Sequence, residues 1–504
     1  MELIIVLILI ISITLIFLVR WRYNYWKNLG VPYVAPTFPF GNIKGMGKEY
    51  SQFELLRAVY QNFKSNSSPI VGLYYYLSPV IIAKDMELVK NIFTRDADHF
   101  INRGAYYNEK DNPISAHIFN LDNPKWKTLR TKLTPTFTSG KIKMMFYTVY
   151  DVAERFVKKL RNEVEVAVDG EIEIKEFAGR FTTDVIGSVG FGLEINSLDN
   201  PTTEFRVHGI NAFEKPNNST LVNIFSVAFK DLARKLHVIQ VRKDIEEFFQ
   251  GIVHQTVKHR EDNGISRNDF MQLMIQLKNH GKIDGESLSV GKLTMDEITA
   301  QCFIFFVAGY ETSSTAMSYL LYEFAQNPQV QEKARKNVQQ VLAKYNNELT
   351  YEGIKEMDYL LMCVNESLRK YPPVHTLLRY CNKDYKIEGT NCTVKKGQLV
   401  IIPAYAIQHD PDIYPNPEVY DPDRFLPEEV AKRPTCSFMP FGHGPRNCIG
   451  LRFGVVQAQI GLAMLLKNFK FETCSKTVNP IEFKKFSTIM LSPIGGINLK
   501  VSKI

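Results

Sequence analysis

The sequence contains no low-complexity tract, no repeat of about 20–50 residues and no Pro/Gly/Ser-rich linker after residue 45. These absences argue against a disordered chain, a solenoid or propeller, and an array of flexibly linked domains. Long basic runs of the kind found in nucleic-acid-binding arms are also missing, because the net charge of +8 is spread along the chain. The 504 residues are 45% hydrophobic and 23% charged, which is enough apolar material for a large core.

Cysteine is scarce, and its spacing excludes the usual frameworks. The seven cysteines are odd in number and form no CxxC pair, which predicts free thiols in a reducing compartment. A glycine-rich dinucleotide fingerprint after a strand is missing too, so we expect the chain not to bind NADPH itself.

The amino terminus carries a charge-free apolar run over residues 3–19. A cleaved signal peptide is the alternative, but no small-x-small cleavage pattern follows the run. We predict an uncleaved transmembrane anchor over residues 1–27, a proline-rich connector over 28–45 and one large domain over 46–504 on the cytoplasmic side. The residues that suggest a membrane interface after the apolar run are Arg20, Trp21, Arg22, Trp26 and Lys27.

The body is predicted to be mainly α-helical with small β-sheets. Thr294 to Glu297 form a capping box ahead of an apolar run, which predicts a buried central helix. Asn327 and Pro328 predict the start of another helix reaching about Tyr345, and a third should span Asp358 to Lys370 before two prolines. Two short strands are expected in IVGLYYYLSPVIIAKD, with a break at Ser78-Pro79, and a further strand in QLVIIPAYAI. Residues 410–434 are predicted to form a proline-rich meander.

The segment FGHGPRNCIG, Phe441 to Gly450, holds a cysteine between glycines with a basic residue two positions before it. Glycines permit a tight loop, and a nearby cation and exposed N–H groups favour a thiolate at Cys448. Taken alone, Cys448 could be a buried small hydrophobe, a zinc ligand together with His443, or a nucleophile with a remote histidine. The segment by itself does not choose among these.

FGHGPRNCIG resembles the haem-binding signature of the cytochrome P450 family at every fixed position. Four further family motifs follow the same order along the chain: WKTLR, AGYETSS, ESLR and DPDRF, which begin at residues 126, 308, 366 and 421. The resemblance covers essentially the whole chain after the anchor. It implies the cytochrome P450 fold, haem b held between a long central helix and the loop of its axial ligand Cys448, and insertion of one oxygen atom from O2 into a substrate.

The resemblance also assigns structural and catalytic roles. Glu366 and Arg369 lie three apart on one helix and would be an ordinary surface pair, but in the family they form a buried network with Arg424. A threonine in an apolar helix most often bonds to a carbonyl one turn earlier. The resemblance instead gives Thr312 a part in proton delivery to bound oxygen, with Glu311 feeding it.

The resemblance implies several haem and substrate contacts. Trp126, Arg130, Arg379, Phe441 and Arg446 are expected to hold the haem, and Arg103 is a further candidate for its propionates. The segment 215–220 reads as a flexible access loop. The substrate contacts expected by position, many of them apolar and suited to lipophilic molecules, are His117, Ile118, Phe119, Phe213, Ala308, Val374, Leu377 and Ile489.

Several sequence segments resemble those of insect microsomal enzymes of the sixth family. These enzymes metabolise plant toxins and insecticides and are related to the vertebrate drug-metabolising third family. The resemblance implies a location in the endoplasmic reticulum membrane and electrons from NADPH through a separate reductase, with cytochrome b5 as a further candidate partner. The alternatives are a haem-thiolate isomerase or dehydratase, an endogenous hormone or lipid hydroxylase, and a haem-based sensor. The lysines that read either as a solvated face or as a docking patch for an acidic reductase are Lys125, Lys127, Lys132, Lys141 and Lys143.

Overall fold

A computed structural model describes residues 2–285, 289–486 and 490–504. Across these residues helices predominate and the strands are short, which agrees with the predicted fold class. The helices are α1 Glu2–Tyr23, α2 Tyr25–Asn28, α3 Gln52–Asn62, α4 Met86–Phe93, α5 Lys125–Leu133, α6 Ser139–Val166, α7 Ile174–Ile186, α8 Glu204–Glu214, α9 Thr220–Ala228, α10 Lys230–Lys235, α11 Lys243–Asn263, α12 Phe270–His280, α13 Met295–Gln326, α14 Pro328–Lys344, α15 Tyr351–Glu356, α16 Asp358–Lys370, α17 Ala404–Gln408, α18 Pro427–Ala431 and α19 Leu451–Asn468.

The strands form three small sheets. A four-stranded sheet has the order β1-β2-β7-β4, a three-stranded sheet the order β3-β9-β8, and β5 pairs with β6. All pairs are antiparallel except β2 with β7. The strands are β1 Ile70–Tyr75, β2 Ser78–Ala83, β3 Glu171–Glu173, β4 Leu377–Tyr380, β5 Tyr385–Lys386, β6 Thr393–Val394, β7 Leu399–Ile402, β8 Phe469–Glu472 and β9 Asn498–Lys503.

The predicted break at Ser78-Pro79 is wrong by two residues, because the turn lies at Tyr76 and Leu77 and β2 already begins at Ser78. Pro79 is tolerated inside the strand because its cross-strand partner Tyr74 makes its backbone hydrogen bonds with Asn42 and not with Pro79. The N–H of Tyr74 donates to Asn42 Oδ1 (2.7 Å), and its carbonyl accepts from the N–H of Asn42 (2.7 Å). The missing N–H of Pro79 therefore leaves no ladder bond unmade.

The second half of QLVIIPAYAI is also not a strand. Strand β7 ends at Ile402, and residues 404–408 form the short helix α17. Gln408 at its end donates to the carbonyls of Leu368 (3.1 Å) and Arg369 (2.8 Å) and accepts from the N–H of Met439 (2.9 Å). These tertiary bonds override the strand propensity of the local sequence.

Helix α13 is the central helix that the capping box predicts. Thr294 Oγ1 accepts from the N–H of Glu297 (3.1 Å), and Glu297 Oε2 accepts from the N–H of Thr294 (2.9 Å). Helix α14 starts where predicted, but Asn327 does not cap it with its side chain. Its amide group instead donates back to the Glu323 carbonyl (2.8 Å), so it closes the end of α13.

Helix α16 has the predicted bounds and carries a fully buried ion pair. Arg369 donates through Nε and Nη2 to the two oxygens of Glu366 (2.7 and 2.8 Å), and both side chains have 0% exposed surface. Arg369 also donates to the carbonyls of Gln408 (3.0 Å) and Pro417 (2.8 Å), while Arg424 Nε lies 3.4 Å from Glu366 Oε1. The network joins α16 to the segment ahead of α18, as the resemblance implies.

The amino-terminal segment differs from its prediction at Trp26. This side chain, expected at a membrane interface, is completely buried, and its indole N–H donates to the Leu73 carbonyl (2.9 Å). Gly72 leaves room for it, since a Cβ there would lie 2.5 Å from the indole ring. Tyr74 Oη donates to the Tyr23 carbonyl (2.8 Å), so the end of α1 is fixed to the first sheet.

Within the part of the chain that the structure describes, no helix combines the length and apolar character needed to cross a membrane.

We expect Arg369→Ala to destabilise the protein by about 3–5 kcal/mol, because it leaves the buried carboxylate of Glu366 without its partner. Arg424→Ala should cost less, since its contact with Glu366 is longer. The free energy of unfolding in urea, followed by tryptophan fluorescence, measures both. The control is Lys432→Ala, which removes an exposed pair with Glu429 and should have no measurable effect; equal losses in all three variants would contradict this assignment.

Candidate functional site

The loop before α19 is tight enough to require glycine. The N–H of Cys448 donates to the Phe441 carbonyl (2.8 Å), and that of Asn447 to the Gly444 carbonyl (3.0 Å). Gly444 has a φ of +72°, and a Cβ at this position would lie 1.9 Å from the carbonyl oxygen of Phe93. A side chain there would push the loop away from α4 and move Cys448.

The Cys448 side chain combines open surface with a desolvated environment, from which we infer that it lines an internal cavity. Its side chain has open surface, whereas the cysteines at 302, 363, 381, 392 and 436 are buried. Burial nevertheless raises the pKa of the Cys448 thiol, against the opposing effects of the Gly450 N–H, Arg103 and Arg130. A side chain that has open surface but is desolvated by the surrounding protein must face an enclosed space and not bulk solvent. Coordination to a metal ion would remove the thiol proton.

The cation that acts on Cys448 is not the one expected from the motif. The side chain of Arg446 turns away from the sulfur and donates to the carbonyls of Ile101 (2.8 Å) and Leu121 (2.6 Å). Arg103 and Arg130 provide the positive potential at the cysteine instead.

A second wall is formed by the middle of α13. Most of this helix is buried, but Ala308 is exposed and Thr312, one turn later, is half-buried. An open stripe in the middle of a core helix is explained by a cavity on that side. The ring of Phe305, one turn before Ala308, contacts Phe453 of α19 (5.7 Å between centroids), so this part of α13 lies near the helix that follows Cys448.

Arg103, Arg130, Arg379 and Arg446 come together and are called the arginine cluster below. Arg103 Nη2 donates to the Arg446 carbonyl (2.8 Å), and Arg130 donates to the carbonyl and side chain of Asn447 (2.9 Å each). The guanidinium of Arg446 stacks 4.1 Å from the ring of Trp126, and that of Arg379 lies 4.9 Å from the ring of Phe93. Four of the residues expected to hold the haem, Trp126, Arg130, Arg379 and Arg446, thus converge with Arg103, the further candidate for its propionates.

The arginine cluster carries positive charge without acidic partners. Burial, reinforced by repulsion between neighbouring guanidinium groups, lowers the pKa of Arg103 to about 10, of Arg379 to about 9 and of Arg446 to about 8. Among the described residues no carboxylate forms an ion pair with the cluster, and Asp122, which acts on Arg446, is paired with Lys230 (2.8 Å).

Arginine does not lose its proton in proteins, so these lowered pKa values express a need for an anion. The two propionate carboxylates of a haem meet this need, and Cys448 offers the sulfur that its iron requires. The residues therefore fit haem b. The alternative of a zinc site at Cys448 and His443 is not supported. Within the described ranges, no group of three or more His, Cys, Asp or Glu side chains is suited to a metal ion.

Glu311 and Thr312 have different surroundings. Glu311 Oε1 forms an ion pair with Lys175 Nζ of α7 (2.8 Å), and both side chains are largely buried. Thr312 Oγ1 donates to the Ala308 carbonyl (2.5 Å), the backbone bond typical of threonine in a helix, while its side chain borders the cavity. The two groups thus face different neighbours, and a proton relay between them stays a prediction.

The predicted substrate contacts differ in their exposure and in their neighbours. Ala308 lines the cavity; Phe119 covers Arg103 (4.2 Å), and Phe213 stands edge-on to Tyr310 (6.0 Å). His117 is buried beside Asn120 and Phe303, and burial together with Arg103 lowers its pKa to about 3. The other contacts are Ile118, whose N–H donates to Gln301, Val374, which pairs with Met490, and Leu377 at the start of β4; Ile489 lies outside the described residues.

The segment 215–220 connects α8 to α9 and is attached to the body. The amide groups of Asn217 and Asn218 donate to the Ile239 carbonyl (3.1 and 2.7 Å). Two grooves of about 870 and 700 Å³ lie elsewhere, one at residues 27–33 with 389–391 and one along α14, and neither contains a predicted site residue.

Sequence reasoning missed Lys175, Asn447 and Asp122. Asn447 lies inside the haem-binding signature, so its bond to Arg130 had a local signal. Lys175 precedes its partner Glu311 by 136 residues. No local pattern marks such a pair.

The comparisons with known proteins agree with this geometry. The family profile "Cytochrome P450" matches residues 33–501. Probable cytochrome P450 6a18 of Drosophila melanogaster is 44% identical over 97% of this chain and 96% of its own length. Cytochrome P450 6a2 of the same fly is 42% identical over 100% of both chains, and cytochrome P450 6A1 of Musca domestica is 40% identical over 97% and 96%.

We expect Arg379→Met to have opposite effects on the two forms of the protein. With haem bound, loss of a charge-assisted hydrogen bond of about 1.5–3 kcal/mol should speed haem transfer to apomyoglobin about 10- to 100-fold. Without haem, removal of an unbalanced buried charge should raise the melting temperature. Arg452→Met, on the exposed side of α19, is the matched control and should change neither quantity. A higher melting temperature without faster haem transfer would rule out the propionate role.

Proposed function

The chain belongs to the cytochrome P450 family, and from that premise we propose that it oxidises lipophilic foreign compounds such as plant toxins or insecticides. As a family member it is a haem-thiolate monooxygenase that holds haem b and takes electrons from a redox partner. The observation that carries the proposal is the open surface of Cys448 and of the α13 stripe at Ala308 and Thr312, from which we infer a cavity between them with the arginine cluster at its edge.

The chain's own residues would position the reacting groups. When bound, a thiolate-ligated haem b supplies the activation of dioxygen. Cys448 would bind the iron, and the arginine cluster would hold the propionates. The hydroxyl of Thr312 holds a proton at the cavity wall, where it now bonds to the Ala308 carbonyl, and rotation of its side chain could direct that proton into the cavity.

The walls favour lipophilic substrates. Phe119, Phe213 and Ala308 are open to solvent, and the polar His117 among them stays neutral because its pKa is far below 7. With the charges of the arginine cluster taken up by haem propionates, the remaining apolar wall would bind by burial of apolar surface and discriminate weakly between compounds of similar size. This is our reason for proposing foreign compounds rather than one endogenous hormone or lipid.

We propose that the electrons come from NADPH through a separate NADPH–cytochrome P450 reductase, with cytochrome b5 as a second possible donor. Of the five lysines predicted to form a docking patch, four have partners within the described chain: Lys125 with Glu109, Lys132 with the Lys292 carbonyl, Lys141 with the Asp284 carbonyl and Lys143 with Glu352. Lys127 is exposed and is the best placed to meet an acidic surface. Binding of the reductase should weaken as ionic strength rises.

To test the reaction, the full chain is combined with reductase, NADPH and 7-ethoxycoumarin as a lipophilic probe. Product should require NADPH, and the reduced protein with carbon monoxide should give the Soret band of thiolate ligation. Cys448→His should abolish both while Cys474→Ser, a matched change at a partly exposed free thiol, should abolish neither. Turnover of a hydroperoxide without NADPH or reductase would favour an isomerase or dehydratase instead and overturn the proposal.

We propose that α1 attaches the protein to the endoplasmic reticulum membrane with the catalytic domain on the cytoplasmic side. The support is the exposure of the apolar side chains described between Leu3 (84% exposed) and Leu18, among them Phe17 (67%). Membrane lipid can cover such a surface, and basic Arg20 and Arg22 at its end suit the headgroup region.

We expect the full chain expressed in insect cells to stay with the microsomal pellet after alkaline carbonate extraction. Deletion of residues 3–19, which leaves the buried Trp26 in place, should release it into the supernatant with its carbon monoxide spectrum intact. A deletion variant that remains in the pellet would show that α1 is not the attachment.

A further inference from the structure

Three hydroxyl groups bond to backbone carbonyls within one stretch of α13. Thr312 donates to the carbonyl of Ala308 (2.5 Å) and Ser314 to that of Glu311 (3.0 Å), both within the helix. The third donor is Thr182 of α7, whose Oγ1 lies 2.8 Å from the Tyr310 carbonyl. Among the hydrogen bonds between described residues, it is the only one that reaches the carbonyls of 308–312 from another element.

Helix α7 approaches this stretch at two further points. Lys175 pairs with Glu311, and a Cβ at Gly309 would lie 2.5 Å from Cδ1 of Ile186. The positions 175, 182 and 186 are separated by seven and four residues, so they share one face of α7. That face contacts α13 at residues 309–311, between Ala308 and Thr312.

The proton of Thr182 is available for this bond. Its oxygen also lies 3.2 Å from the Gly179 carbonyl within α7, but that carbonyl already accepts from Thr183 Oγ1 (2.8 Å). A hydroxyl has one proton, and the shorter contact is to Tyr310. Both threonines have 0% exposed surface, so water does not compete for either bond.

An additional donor on a helical carbonyl tilts that carbonyl outward and bends the helix locally. We propose that Thr182 is a positioning residue for the monooxygenase reaction: by holding the Tyr310 carbonyl toward α7, it fixes the backbone that carries Thr312 and thereby the direction of the Thr312 hydroxyl at the cavity wall. Thr182 acts through Thr312 and does not reach the cavity. This inference rests on the proposed proton-donating role of Thr312.

The test compares Thr182→Val with Thr183→Val in the full holoprotein with reductase, NADPH and 7-ethoxycoumarin. Each change removes one buried hydroxyl of similar shape from adjacent positions of α7, but only the first removes a bond to α13. Thr182→Val should lower the product formed per NADPH about tenfold, since a small misplacement of a reacting group has effects of that size. The peroxide released per NADPH should rise correspondingly, whereas Thr183→Val should behave as the unchanged chain.

Thr182→Ser keeps a hydroxyl and should restore coupling close to that of the unchanged chain. A readout independent of turnover is amide hydrogen exchange over residues 308–316, which should speed up in Thr182→Val but not in Thr183→Val or Thr182→Ser. If Thr182→Val proves unable to retain haem, Thr182→Ala takes its place, and its amide exchange over residues 308–316 is compared with that of Thr182→Ser.

Unchanged peroxide yield and unchanged exchange in Thr182→Val would overturn the inference, and so would equal losses in the two valine variants, which would show general packing. If the unchanged chain consumes no NADPH with reductase, the proposed function fails. The hydrogen-exchange comparison would still report whether Thr182 holds α13.

Discussion

Positive charge buried without acidic partners is the constraint on which this structure depends. Four arginines from distant parts of the chain meet beside one cavity, and backbone carbonyls supply only part of the solvation they lost. Uncompensated charges in a protein interior are costly unless a counter-ion arrives. The loop before α5, α5 itself, β4 and the loop before α19 are all shaped to bring these side chains together, so the fold is complete only with a dianionic cofactor in place.

The two walls of the cavity divide the chemistry between them. The loop before α19 presents a sulfur whose position depends on glycine, because Gly444 lies against the carbonyl of Phe93. Helix α13 presents an alanine and a threonine, and its polar support comes from behind, where α7 contributes Lys175 and Thr182. A core helix can thus carry polar groups at its centre because a neighbouring helix satisfies them, in agreement with the rule that buried polar groups are paired.

The sequence allowed the chemistry to be predicted better than the contacts. Capping boxes and prolines act over a few residues, and the structure confirms the helices α13 and α16 that they predict, whereas the role of Cys448 stays a prediction. The environments of Trp26 and Pro79 come from residues far along the chain, Leu73 for the indole and Asn42 for the strand, which no local pattern marks. Asn327 differs from its prediction for another reason: its amide group bonds back to the helix before it, at the Glu323 carbonyl four residues earlier. Lys175 and Thr182 had no local signal, since their partners follow them by 136 and 128 residues.

The burial of Trp26 has a mechanical consequence. Because the indole, the Tyr23 carbonyl and the side chain of Arg22, which donates to the Leu77 carbonyl (3.0 Å), are all bound to the first sheet, α1 joins the body as a rigid lever and not as a tether. With α1 in a lipid bilayer, the tilt of one helix then sets the height and heading of the whole molecule. If the proposed membrane attachment holds, the protein would diffuse in two dimensions at a fixed height, and its encounters with a partner in the same bilayer would become a search over position and one angle of rotation.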